Sequence, residues 1–143
     1  MSFNKYVIKF YLVAACIIIV KTALAIDNNQ VGNNHPYGIT SSGLNTTINK
    51  ENNTFHIKGG SAKDQNLFHS FDQFNLHTGE SAIFYDQGFN NTFGRITGNS
   101  YSWINGKLTS SAENLYLMNP QGFMFGPEST LDLNGSFHIT SAD

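Results

Sequence analysis

The chain has 143 residues, of which 40% are hydrophobic and 13% are charged, and its formal net charge is −2. A chain of this length supports one small domain. Its single cysteine, Cys16, excludes a disulfide framework and a cysteine-rich metal site, and the absence of a positive net charge argues against nucleic acid as a partner.

The first 25 residues have the pattern of a cleaved secretory signal. Two lysines precede an apolar run over residues 10–20, and Ala23 and Ala25 supply the small residues that a signal peptidase reads. The run is shorter than the roughly 20 residues that a transmembrane helix needs. A lipoprotein signal ending at Cys16 is an alternative interpretation, although the run stays apolar beyond that cysteine. The sequence therefore predicts a signal peptide over residues 1–25, handled by the general secretory translocase and by signal peptidase.

Removal of the signal would make the chain more acidic. Three of the eight basic residues lie in the signal, so five basic and ten acidic side chains would remain, with a formal charge of −5. Residues 26–44, which come next, are polar and rich in turn-forming residues, and we expect them to form a leader or cap.

From residue 45 the chain consists of short apolar stretches separated by Gly and Asn. The stretches are rich in β-branched and aromatic residues, which predicts a body made mostly of strands. Strands of this length fit either a sandwich or a solenoid, and the spacing does not choose between them. Asn105-Gly106 and Asn134-Gly135 are predicted to form corners, because Gly and Asn adopt positive φ at low cost.

Residues 130–140 show the clearest alternation in the chain. Leu131, Leu133, Phe137 and Ile139 share one parity, and polar residues occupy the other. Since successive side chains of a strand point to opposite faces, the pattern predicts one buried and one solvated face.

Three blocks of sequence, in order, resemble a known family. They are NLFHSFDQFNL at residues 66–76, RITG at 95–98, and NPQGFMFGP at 119–127 followed by LDLNGSFHITSAD. Together they resemble the amino-terminal domain of filamentous haemagglutinin, the secretion domain of two-partner secretion exoproteins, over residues 45–143. The resemblance implies an all-β fold, a right-handed parallel β-helix with extra hairpins and an amino-terminal cap.

The resemblance also implies a function in export. Such a domain is recognised in the periplasm of a Gram-negative bacterium by an outer-membrane β-barrel with periplasmic domains, and it usually delivers an adhesin or haemagglutinin to the cell surface or medium. We expect the partner to recognise the domain by strand addition, and we expect the domain to be a monomer. The residues matched to the secretion motif are Asn119, Pro120, Gln121 and Gly122, with Arg95 and Asn75 as weaker candidates. Asn-Pro-x-Gly is also a tight turn in its own right, so a structural role is the alternative.

Patterns typical of catalysis are absent. The five histidines are scattered without metal-binding spacing, no GxSxG motif is present, and Asp72, Glu80 and Asp86 form no alignment that the sequence can identify. The chain is therefore predicted to be no enzyme and to need no cofactor or metal. The alternative function is a small stand-alone secreted adhesin or carbohydrate-binding β protein. The chain ends within what the resemblance implies is a continuing β-helix, so it is expected to be truncated at its C-terminus unless it is a complete small protein.

Overall fold

The structure is a computed structural model, and it describes residues 38–142. Within that range the chain forms thirteen short strands and no helix. The predicted signal peptide, its cleavage site at Ala23 and Ala25, and residues 26–37 of the predicted leader lie outside the described residues. No helix among residues 38–142 is long and apolar enough to span a membrane.

The strands are three to nine residues long and are separated by turns. In chain order they are β1 Ile39–Gly43, β2 Thr46–Glu51, β3 Thr54–Gly59, β4 Ser61–Lys63, β5 Asn66–Phe74, β6 Ser81–Phe84, β7 Asn91–Ile96, β8 Ser102–Ile104, β9 Lys107–Ser110, β10 Asn114–Met118, β11 Phe123–Phe125, β12 Thr130–Leu133 and β13 Ser136–Thr140.

Stacked coils place these strands in three parallel sheets. The first sheet contains β5, β7, β10 and β13, the second contains β8 and β11, and the third contains β3, β6, β9 and β12. Each coil visits the sheets in the same order: β7, β8 and β9 form one coil, and β10, β11 and β12 stack on it in parallel register. The predicted all-β fold, a parallel β-helix, is therefore confirmed.

The amino-terminal end of the helix is covered by antiparallel strands. β1 and β4 pair with β5 at the edge of the first sheet, and β2 pairs with β3 at the edge of the third. These pairings supply the extra hairpins and the cap that the resemblance implied. They also satisfy the backbone groups of two sheet edges, which would otherwise be open to other strands.

The core lies inside the coils, because every second side chain of a strand points inwards. Leu67, His69 and Phe71 in β5, and Leu115 and Leu117 in β10, are buried, whereas the residues that alternate with them, Phe68, Ser70 and Tyr116, are partly exposed. Register places Leu115 next to Phe137 of the following coil, so apolar side chains stack in columns along the axis. Since each coil is covered only by its neighbours, these columns supply the burial that holds the coils together.

The outer surface of the first sheet is stacked in columns as well. Asn91 donates a hydrogen bond from Nδ2 to Oδ1 of Asn66 at 2.8 Å, and Asn114 donates to Asn91 in the same way at 2.9 Å. Beside this asparagine column runs an aromatic column, whose rings lie 4.5–5.0 Å apart with interplanar angles of 11–12°. Its members are Phe68, Phe93, Tyr116 and His138.

The corners at Gly106 and Gly135 need glycine for a reason other than the predicted one. Neither residue has a positive φ, so the prediction of positive φ at these corners was wrong. A Cβ on Gly106 would instead lie 2.2 Å from the carbonyl oxygen of Glu80, and one on Gly135 would lie 2.1 Å from that of Glu113. The chain turns so closely against the preceding coil that only a residue without a side chain fits.

The alternation over residues 130–140 is observed, but the predicted burial is only partial. Leu131 stacks on buried Leu108, and Ile139 stacks on buried Leu117, so these side chains have the predicted direction. Leu131 and Ile139 are nevertheless 48% and 47% exposed. No described strand stacks on the far side of β12 or β13, and the prediction of a fully buried face was wrong for this reason.

Candidate functional site

The predicted motif at residues 119–122 forms the tight turn that joins β10 to β11. The amide of Gly122 donates to the carbonyl oxygen of Asn119 at 2.8 Å, and the amide of Gln121 donates to Oδ1 of Asn119 at 3.0 Å. Pro120 fits the position after Asn119, where the chain needs no amide donor, and Gly122 has a φ of 94°. Both halves of the turn therefore depend on Asn119, one through its backbone and one through its side chain.

Asn119 itself is fully buried and joins neighbouring coils. Its Nδ2 donates to Oγ of Ser102 at 2.9 Å and to the carbonyl oxygen of Ser100 at 3.1 Å, both in the preceding coil. Its backbone amide donates to the carbonyl oxygen of Thr140 in the following coil at 3.0 Å. Gln121, in contrast, is exposed. In the folded domain a partner can touch the turn at Gln121 but cannot touch the side chain of Asn119.

Asn75 occupies the equivalent place two strands earlier in the first sheet. It directly follows β5, is 1% exposed, and accepts a hydrogen bond at Oδ1 from the amide of Trp103 at 2.9 Å. Asn75 and Asn119 thus hold adjacent residues of β8, Trp103 and Ser102. The structure brings these two predicted residues to the same short strand from opposite sides of the stack.

Asn105 is a third buried asparagine of this kind. The sequence predicted only that it forms a corner, without these side-chain hydrogen bonds. It directly follows β8, its Nδ2 donates to Oγ1 of Thr78 at 2.7 Å, and its Oδ1 accepts from the amide of Glu128 at 2.8 Å. A Cβ on Gly126 would lie 2.2 Å from this Oδ1, so a glycine is needed beside it. We call these three residues, Asn75, Asn105 and Asn119, the corner asparagines. Each comes immediately after an apolar strand, and that position is the sequence signal that could have identified them as a set.

Arg95 lies apart from this buried set. It is an exposed residue of β7 and stands in register between Ser70 of β5 and Met118 of β10. Met118 immediately precedes Asn119, so Arg95 lies on the outer surface close to the turn along the first sheet. The six predicted residues therefore divide into two buried side chains and an outer group formed by the turn and Arg95.

Two of the three acidic residues considered for catalysis, Glu80 and Asp86, have structural contacts, whereas Asp72 is exposed. Asp86 is fully buried: one carboxylate oxygen accepts from the hydroxyls of Thr92 and Ser110, and the other from the amide and hydroxyl of Ser111 at 2.9 Å. Glu80 contacts Lys50 at 2.6 Å and accepts from a backbone amide. Among residues 38–142, no group of three or more His, Cys, Asp or Glu side chains could hold a metal ion.

A buried histidine lies near Asp86 in the core. Nδ1 of His69 is 3.2 Å from Oγ1 of Thr46, Nε2 is buried without a hydrogen-bond partner, and the ring lies against Phe71 and Phe84. Burial lowers the pKa of His69 from its ordinary 6.5 to about 4, and the negative charge of Asp86 opposes this shift only in part. The ring is therefore neutral in the folded domain at physiological pH.

The pKa of His69 predicts how stability changes with pH. The unfolded imidazole binds a proton at higher pH than the folded one, so its contribution is complete above about pH 6.5 and is lost as pH falls towards about 4. At roughly 1.4 kcal/mol per unit of pKa, the loss amounts to about 3.5 kcal/mol. His69→Phe should remove this slope. Urea unfolding across the interval tests it, and equal slopes for the variant and the parent would contradict it.

Comparison with known families agrees with this architecture. A family model described as the TPS secretion domain, where TPS stands for two-partner secretion, matches residues 37–143. The chain therefore belongs to the family of two-partner secretion domains, and the suspected resemblance is confirmed. It carries the secretion domain of a two-partner secretion exoprotein. No curated protein matches the chain.

Proposed function

We propose that this domain is recognised in the periplasm by a partner outer-membrane β-barrel, and that this recognition commits the exoprotein to export. The observation that carries the proposal is the family match over residues 37–143. The exported chain would deliver an adhesin or haemagglutinin to the cell surface, after the general secretory translocase and signal peptidase have acted on residues 1–25. The domain would act as a monomer and without enzymatic activity.

The geometry of the motif limits what a partner can recognise on the folded domain. The side chain of Asn119 is buried under Ser102 and the chain at Ser100, whereas Gln121 is exposed at the tip of the turn. We assign Gln121 the contact with the transporter and Asn119 the task of holding the turn in shape. Arg95, exposed on the same sheet before the turn, would add a positive charge to the contact surface.

Strand addition is the mode of recognition that we expect from a periplasmic domain. At the amino-terminal end of the β-helix, β1, β2 and β4 already pair with the edge strands of the first and third sheets. A strand from the transporter would therefore have to pair elsewhere on the exoprotein. Its backbone hydrogen bonds would provide affinity, and Gln121 selectivity.

The aromatic column of the first sheet gives little support to the alternative function, a stand-alone adhesin or carbohydrate-binding protein. Its rings stack face to face at 4.5–5.0 Å, so neighbouring rings cover each other's faces and present mainly edges to solvent. A sugar stacks on an exposed ring face. The column therefore favours a structural role, and export remains the preferred function.

A substitution at Gln121 tests the assignment of roles. Gln121→Ala should leave the free energy of unfolding within about 0.5 kcal/mol of the parent. It should reduce export through the cognate barrel about fivefold, because one hydrogen bond contributes about 1 kcal/mol. Gln121→Asn, which keeps the amide, should retain most export. The measurement is the amount of exoprotein in the medium at equal expression.

The matched control is Gln65→Ala, which truncates an exposed glutamine in the turn between β4 and β5. It should export normally. Normal export of a folded Gln121→Ala variant would refute the contact and leave the turn with a structural role only.

A further inference from the structure

A groove crosses the outer face of the third sheet, away from the turn at residues 119–122. It has a volume of about 620 Å³, within the range of roughly 300–1,000 Å³ typical of ligand sites. Its floor follows the register of the coils: Ile83 of β6 lies beside Thr109 of β9, which lies beside Asp132 of β12. These side chains have the opposite parity to the buried residues Ala82, Phe84 and Leu108, so they face outwards.

A second column forms one wall of the groove. Tyr85, Ser111 and Asn134 are the first residues after β6, β9 and β12, so they occupy the same corner in three successive coils. Tyr85 is 48% exposed, and its hydroxyl is 2.9 Å from Nδ1 of His56. The ammonium group of Lys58 lies 4.8 Å from the centre of the ring. Two partners thus orient a half-exposed aromatic ring at the edge of the groove.

We propose that this groove binds a neutral oligosaccharide. The lining combines an aromatic ring with two amides, hydroxyl groups and one carboxylate, which matches a ligand that has apolar C–H faces and many hydroxyl groups. Coils of a β-helix stack about 4.8 Å apart, a spacing comparable with the length of one hexose. Each coil would therefore offer one set of polar groups to one sugar unit.

Other classes of ligand fit the groove less well. No lysine or arginine lines it among the described residues, and its one charged group, Asp132, is a carboxylate, which disfavours an anionic ligand. The two lysines nearby are already engaged, Lys107 with Asp132 at 2.7 Å and Lys58 with the ring of Tyr85. An extended peptide needs free backbone groups, but β6 and β9 pair with neighbours on both sides. A purely apolar ligand would cover the hydroxyl of Thr109 and the side-chain amides of Gln87 and Asn134 without giving them hydrogen-bond partners.

The test is a binding titration of the purified domain. The ligands are short neutral oligosaccharides of the malto-, cello-, galacto- and N-acetylglucosamine series. We expect at least one series to bind. Tyr85→Ala and Asn134→Ala should each weaken binding about tenfold or more, as expected for loss of an aromatic or well-placed polar contact. Phe125→Ala removes an exposed aromatic side chain outside the groove and should leave the affinity unchanged. Thermal unfolding establishes that each variant is folded.

Three results would overturn the proposal. They are no binding by any neutral series at millimolar concentration, binding that neither Tyr85→Ala nor Asn134→Ala weakens, and tighter binding of sulfated oligosaccharides or short peptides than of any neutral sugar. Export of the Tyr85→Ala variant, measured in cells with the cognate barrel, should be normal. The proposal for the groove and the proposal for secretion can therefore be refuted independently.

Discussion

Replacing Asp86 with alanine is expected to lower the free energy of unfolding by about 4 kcal/mol. The carboxylate is fully buried and accepts four hydrogen bonds, from Thr92, from Ser110 and, twice, from Ser111. Without it, three hydroxyls and a backbone amide lose their acceptor. The hydroxyls of Thr92 and Ser110 are buried, and each buried group that finds no other partner costs about 1–3 kcal/mol. A small domain is stable by about 5–15 kcal/mol, so the variant would be close to unfolding.

Two companion variants separate this effect from a general effect of charge. Asp86→Asn keeps the shape and one acceptor oxygen and should lose about half as much stability. Asp132→Ala removes an exposed carboxylate that contacts Lys107, and should cost less than about 1 kcal/mol. Denaturant unfolding measures all three. Similar losses for Asp86→Ala and Asp132→Ala would show that the buried network contributes nothing beyond a surface charge.

Asn119→Ala is expected to lower the free energy of unfolding by about 3 kcal/mol and to reduce export as a result. Its side chain makes three hydrogen bonds, to Ser100, Ser102 and Gln121, and no part of it is exposed. Alanine would leave the Ser100 carbonyl and the Gln121 amide without these partners and would open a small void between coils. The turn would then lose the shape that presents Gln121.

Asn99→Ala, at an exposed position in the loop before β8, provides the control and should change stability by less than about 0.5 kcal/mol. Circular dichroism during denaturation gives the stabilities, and the secretion assay gives export. If Asn119→Ala were as stable as the parent, the corner asparagines would not hold the coils together as inferred. If it were destabilised but exported normally, the shape of the turn would not matter to the transporter.

Strand content and the family could be predicted from sequence because both depend on local patterns. The alternation over residues 130–140 gave the direction of Leu131 and Ile139 correctly. It did not give their burial, which depends on whether another coil covers them. In a β-helix, burial depends on the neighbouring coil, which lies more than twenty residues away in sequence.

The same distance explains what the sequence did not show at the site. Asp86 has partners 6, 24 and 25 residues away, and Asn105 has partners 23 and 27 residues away. Residue type and spacing identify a corner, but they do not show which backbone groups of the adjacent coil face it. Gly106 illustrates the limit: glycine was predicted correctly as a corner residue, while its cause, contact with the Glu80 carbonyl, appears only when the coils are stacked.

The central claim, that this domain directs export through a partner barrel, is tested most directly by its dependence on that barrel. The exoprotein is expressed with the cognate outer-membrane transporter, without it, and with a transporter that lacks its periplasmic domains, and the amount reaching the medium or cell surface is measured. We predict export only with the complete transporter, and retention in the periplasm in the other two cases. Equal export in all three would contradict the claim.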